Sequence, residues 1–203
     1  MRDEVSATRV EVGPDPAVLA LVAAPGRAAA IWDRRPDAVL ADWLALLPPA
    51  RLPRLRAGLS VAEVGTAVTE GCAIAGLPDA GLRAAFAADI ADLARRFAGL
   101  MASPHLHLRL DPVDGDACRR FHVDNVPARL LCTYRGPGTE YGIARDGADP
   151  DPVHRMATGA VGLFRGRGWP GAPPALVHRS PPIAGTGAVR LVLVLDTGNH
   201  GHG

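Results

Sequence analysis

The feature that most constrains this chain is a change of period near Ser103. Before it, PDAGLRAAFAADIADLARRFAGLM places Leu82, Phe86, Ile90, Leu93, Phe97 and Leu100 at three- and four-residue spacing. Asp89, Asp92, Arg95 and Arg96 fall between them, the pattern of an amphipathic helix with one buried stripe. Asp79 is placed to cap its start and Pro104 to stop the chain after its end. Shorter helices are expected around Pro16 to Ala24, Asp37 to Leu47 and Ser60 to Ala75, so residues 1–103 read as a helical layer.

After Ser103 the period becomes two. HLHLRL sets His105, His107 and Arg109 on one face of a strand and Leu106, Leu108 and Leu110 on the other. Further strands are expected at Ala117 to Asp124, Ala128 to Tyr134, Glu140 to Arg145, near Val153, Ala160 to Arg165, Ala175 to His178 and Val189 to Asp196. About eight short strands without intervening helices predict an antiparallel jelly roll over residues 104–203. The fold class is therefore α+β: amino-terminal helices packed on an antiparallel double-stranded β-helix, as one compact unit.

Composition narrows the functions. The 22 basic residues, all arginine, meet 21 acidic ones, and no basic cluster with interleaved aromatics suggests a nucleic-acid groove. The start, MRDEVSATRVEV, has no apolar signal region, and no run of about 20 apolar residues is free of Pro, Gly or charge. Neither nucleic acid nor membrane is an expected partner. Three cysteines, Cys72, Cys118 and Cys132, are too few and too odd for a disulfide framework and fit a reducing, cytoplasmic setting.

The chemistry centres on CRRFHVDNVPARLLCTY. If it is a strand, Cys118, Arg120, His122 and Asp124 share the inward face, and Phe121 and Val123 pack outward against the helices. His122 and Asp124 could then grip one metal ion with His178, from ALVHRSPP, as the distal ligand. Two imidazoles and a carboxylate leave coordination positions open, as a ferrous centre needs to hold an organic co-substrate and dioxygen together. Arg190 opens the apolar run LVLVL and offers the bidentate, permanent charge that a keto-acid carboxylate requires. Tyr134 shares a face with Cys132 and Leu130, and it contacts a cofactor only if that face is the inner one. The plain alternative is a polar strand edge whose His122 and Asp124 pair with each other.

Other candidates are weaker. His105 and His107 fit a solvated strand face. His200 and His202, in the tail GNHGHG, fit a frayed end. Cys72 fits a small core position. The glycine-rich GPGTEYG, Gly136 to Gly142, lacks a phosphate-loop lysine and fits a tight hairpin turn.

The order H-x-D, TYRGPGTEYG, GLFRG and VHRSPPIAGTGAVRLVLVLD resembles the core of the iron(II)- and 2-oxoglutarate-dependent oxygenases, over Pro104 to Asp196. The block Cys118 to Gly142 resembles more narrowly a bacterial domain family of unknown function, often found near zinc-homeostasis genes, across nearly the whole chain. The resemblance implies His122, Asp124 and His178 as metal ligands and Arg190 as the partner of the 2-oxoglutarate carboxylate. The chain departs from the oxygenase pattern in its short core and slight loops. Cys118 and Cys132 flank the motif, and soft sulfur beside histidine favours zinc. Three functions follow: an oxygenase acting on an unknown small-molecule or protein substrate, a zinc-binding or zinc-homeostasis protein without turnover, and a metal-free interaction module.

Overall fold

The computed structural model describes residues 6–198 apart from Ala117 and Asp146. Ten strands run β1 (Arg9–Gly13), β2 (Arg27–Trp32), β3 (Leu55–Ser60), β4 (His105–Val113), β5 (Ala128–Arg135), β6 (Glu140–Ile143), β7 (His154–Arg155), β8 (Val161–Arg165), β9 (Leu176–Arg179) and β10 (Arg190–Thr197). Three α-helices, α1 (Ala38–Leu46), α2 (Val64–Ile74) and α3 (Ala80–Met101), lie between β2 and β4, and these counts are of the described residues. A seven-stranded sheet has the order β1-β2-β8-β5-β10-β4-β3, antiparallel except for the β1–β2 pair. A second sheet has the order β7-β6-β9. The fold is thus a mixed α and β one dominated by a large, mostly antiparallel sheet.

The period switch explains the layering. On the helix face of the large sheet stand Leu106, Leu108 and Leu110 of β4 and Leu191, Leu193 and Leu195 of β10, all buried with Phe86, Ile90, Leu93 and Phe97 of α3. Fully burying each such side chain contributes about 1.5–3 kcal/mol. Asp79 accepts from the Leu82 N–H at the start of α3, and Asp37 caps α1 by accepting from Leu40, which satisfies backbone donors the helices leave orphaned. On the other face, Ala29, Ile31, Leu131 and Phe164 pack with Leu176 and Met156 in a smaller core under the second sheet.

Four expectations need correction. Residues 1–103 are not purely helical: β1, β2 and β3 all fall there and join the large sheet. Alanine-rich RAAAIW is buried on both faces, so β2 shows no alternation to betray it. The segment at Pro16–Ala23 is a 3-10 rather than an α-helix. Of the expected strand Ala117 to Asp124, residues 118–124 form no strand and pair with β9 through an isolated bridge at His122. Gly136 to Gly142 also joins β5 to β6 in a different sheet, a corner rather than a hairpin.

Candidate metal centre

A cavity of about 620 Å³ lies between the two sheets. Its large-sheet wall carries the residues of β5 and β10 that alternate with the core leucines: Arg129 and Leu131, then Arg190, Val192 and Val194. His178, Arg179 and Ser180 come from the second sheet and its continuation, and His122 from the irregular segment.

The convergence of His122 and His178 comes from backbone pairing, without a full strand. The two residues exchange both hydrogen bonds: His122 N–H donates to His178 O at 3.1 Å and His178 N–H to His122 O at 3.0 Å. That makes them directly opposed antiparallel partners, and their ring centroids lie 4.7 Å apart. Ser180 N–H donates to Cys118 O in the same manner. Downstream, Arg167 N–H holds Asp124 O at 2.9 Å and Gly166 N–H holds Pro127 O at 2.8 Å. Gly166 is required by this approach: a Cβ there would meet Val126 O at 1.9 Å and Asp124 O at 2.8 Å.

Among the described residues, ligand atoms of His122, Asp124 and His178 all lie within 4.8 Å of one another, the one group of three or more such side chains that does so. His178 Nε2 is 3.1 Å from Asp124 Oδ2 and His122 Nε2 is 3.6 Å from Oδ1. Nδ1 of His122 lies 2.9 Å from Arg120 O. A carbonyl can only accept, so this contact places the proton on Nδ1 and leaves the Nε2 lone pair toward the group.

Asp124 is buried and is oriented by Arg129, whose guanidinium grips Asp196 at 2.7 Å through both Nε and Nη2 and donates to Asp124 Oδ1. Oδ2 remains buried without a hydrogen bond of good geometry. Burial opposes charge on Asp124, but His122, His178 and Arg129 outweigh it and hold its carboxyl well below the usual carboxylate range. The His122 imidazole is raised, chiefly by Asp124, with burial working against it. A buried carboxylate with one oxygen free of a hydrogen bond, and an imidazole nitrogen beside each oxygen, is the electronic arrangement a divalent cation completes. The donor set fits a metal.

Arg190 is 1% exposed. It donates to Pro137 O at 2.7 Å, Ser180 Oγ at 2.9 Å, Thr133 Oγ1 at 3.1 Å and Thr139 Oγ1 at 3.4 Å. All four acceptors are neutral, and no carboxylate pairs with it among the described residues. Its pKa is pushed down to about 10 by burial, so it stays charged at neutral pH. Gly136, at φ +78°, makes the turn beneath it; a Cβ there would stand 3.1 Å from the Arg190 Cγ.

The remaining candidates separate cleanly. Tyr134 lies on the opposite face of β5 from the cavity, edge-on to Phe86 at 4.9 Å, with its hydroxyl donating to Asp89 Oδ2 at 2.5 Å. It is a core residue, not a cofactor contact, because the strand's alternation puts Thr133 on the cavity side instead. Cys132 shares that core face, so a zinc site combining it with His122 is not formed. Cys118 is exposed on the cavity lining and lies outside the three-residue group. Phe121, expected against the helices, lies instead under the guanidinium of Arg179 at 4.2 Å. His105 and His107 are exposed, and His200 and His202 lie outside the described residues. Arg129, Thr133, Thr139 and Ser180 are the site residues that sequence reasoning missed. The signal for Arg129 was its facing partner Asp196, visible only once the β5–β10 register is known.

The family model described as "Protein of unknown function (DUF1826)" matches residues 13–196. The chain belongs to this family. No curated protein matches this DUF1826 chain by sequence. Among solved structures it is similar to the dioxygenase for auxin oxidation of rice, at 13% identity and TM-score 0.51, covering 94% of this chain and 82% of that one. It is also similar to dioxygenase for auxin oxidation 1 from Arabidopsis thaliana, solved as a binary complex with 2-oxoglutarate. There the identity is 12% and the TM-score 0.52, over 94% of this chain and 92% of that one. At these identities the likeness is one of fold. The DUF1826 chain thus shares the double-stranded β-helix architecture of these dioxygenases, with a candidate His-Asp-His metal centre inside it.

Proposed function

We propose that this protein is an iron(II)- and 2-oxoglutarate-dependent oxygenase, with His122, Asp124 and His178 as the metal ligands and Arg190 as the anchor for the distal carboxylate of 2-oxoglutarate. The observation that carries the reading is the pairing, in one cavity, of a two-histidine, one-carboxylate group with a buried arginine that no carboxylate neutralises. Ferrous iron held by His122, Asp124 and His178 would leave coordination positions open and would supply oxidation of a substrate C–H bond by dioxygen, with 2-oxoglutarate becoming succinate and carbon dioxide.

The chain's own residues prepare the site. Arg129 holds Oδ1 of Asp124 so that Oδ2 stays turned toward His178. The Arg120 carbonyl fixes the tautomer of His122. Arg190, oriented by Thr133, Thr139 and Ser180, presents a desolvated cation where a carboxylate gains most from it. The zinc reading reduces to the same three donors, since Cys132 is in the core and Cys118 lies outside the group.

The test is anaerobic loading with ferrous iron, then succinate measurement after oxygen and 2-oxoglutarate are added. Succinate beyond one equivalent is expected, and His178→Ala should abolish both iron loading and turnover. Tight zinc retention with no consumption of 2-oxoglutarate would overturn the oxygenase in favour of the zinc-binding protein.

A further inference from the structure

The wall of the cavity formed by β3 and β4 carries more positive charge than it can neutralise. Arg56 and Arg109 are directly opposed in the antiparallel register of these strands, a placement that is unfavourable for like charges without a counter-ion. One carboxylate answers both neighbours: Asp111 pairs with Arg56 at 2.8 Å and with Arg54 at 3.3 Å. Arg109 makes no ion pair among the described residues.

The other arginines of the lining are accounted for. Arg179 meets Glu140 at 2.8 Å, Arg129 meets Asp196 and Asp124, and Arg190 is the deep cation already assigned. Asp116 is turned to the backbone N–H groups of Ile183 and Ala184, at 2.9 Å each. Asp114 is exposed beyond the end of β4. Six arginines against three aspartates therefore line one cavity, and the surplus on the β3–β4 wall lies apart from Arg190.

What joins that wall to the metal group is apolar. Val194 stands beside Arg109 and Val192 beside Asp111 in the β10–β4 register, and Leu131 stands beside Val194 in the β10–β5 register. All three line the cavity with His122 and His178. A molecule that satisfies both surfaces carries an anionic oxygen group at one end and an apolar body along Val192, Val194 and Leu131.

We infer that the substrate of the site is a small organic anion with an apolar body, its carboxylate or phosphate head held by Arg109 and Arg56. Calling it a substrate rests on the oxygenase reading; the binding does not.

The probes are phenylacetate, 3-phenylpropionate, 4-phenylbutyrate and phenyl phosphate, with 4-phenylbutyramide as the neutral control, titrated calorimetrically into the full chain without metal or 2-oxoglutarate. At least one anion should bind at least ten times more tightly than the amide. Arg109→Gln, or Arg56→Gln should the first variant fold poorly, should weaken that anion at least tenfold, while Arg190→Gln changes it less than twofold. Four results would overturn the inference: no anion binds, the amide binds as well, neither β3–β4 variant has an effect, or Arg190→Gln removes binding, which would seat the anion on the co-substrate anchor. Because no metal is present, these outcomes leave the succinate test untouched, and loss of succinate formation with anion binding retained overturns only the oxygenase.

Discussion

The two faces of the large sheet bury charge in opposite ways. On the helix face, Arg34 makes a bidentate pair with Asp89 at 2.5 and 2.8 Å, and the Tyr134 hydroxyl completes the carboxylate. Burial disfavours the Arg34 cation, but Asp89 outweighs it and its pKa rises. On the cavity face, Arg190 is more deeply enclosed, with only hydroxyls and a carbonyl accepting from it, and its pKa falls. Both arginines are costly to bury. One is repaid by a carboxylate inside the fold, whereas the other has no carboxylate partner among the described residues, and that asymmetry distinguishes the two faces of single strands such as β5 and β10.

Adjacent residues of β10 give the sharpest test of this division. Leu193 is fully buried against the helices, whereas Val194 is partly exposed on the cavity floor. Leu193→Ala should cost about 3 kcal/mol, because it removes packed methyl groups and leaves a void. Val194→Ala should cost about 1 kcal/mol. Urea unfolding of the two variants measures both, and equal losses would dissolve the distinction between the faces.

The buried arginines come next. Arg34→Gln leaves Asp89 and Tyr134 without their cation, so a loss of about 2 kcal/mol is expected. Arg190→Gln removes an unneutralised charge and should shift stability by less than about 1 kcal/mol, with an increase allowed. Under the oxygenase reading the same change raises the 2-oxoglutarate concentration needed for half-maximal succinate formation by roughly tenfold or more, since a charged hydrogen bond contributes about 1.5–3 kcal/mol. A large destabilisation by Arg190→Gln would mean that the residue is structural.

How much of this was legible in the sequence depended on whether a signal was local. The α3 stripe and the alternation of β4 are written in consecutive residues, and both elements appear where the periods place them. β2 was hidden because a strand buried on both sides has no alternation, and its alanines equally suit a helix. The candidate ligands are visible as residue types, but the strand alternation expected to bring them together is absent. His122 meets His178 through one isolated bridge, a tertiary event that no two-residue period encodes. Tyr134 failed for a related reason: alternation says which residues share a face of β5, and only the packed helices say which face is inside.

The smallest effect concerns Glu140, whose side chain is 7% exposed behind the cavity and bridges Arg155 at 2.5 Å and Arg179 at 2.8 Å. Burial raises the pKa of its carboxyl, but the two guanidinium partners outweigh that and hold it below its ordinary value of 4.5. The charged form is thus favoured by folding. Its contribution is complete above pH 4.5 and fades as the pH falls through the lower value of the folded state. Both arginines keep contact with water, Arg155 more than Arg179, so screening limits the contribution to under about 1 kcal/mol. Glu140→Gln should therefore lower stability slightly at pH 7 and hardly at all at pH 3, as urea unfolding at the two pH values would measure. A larger loss at pH 3 than at pH 7 would reverse the sign and show that the ion pairs on the second sheet do not favour the charged carboxylate.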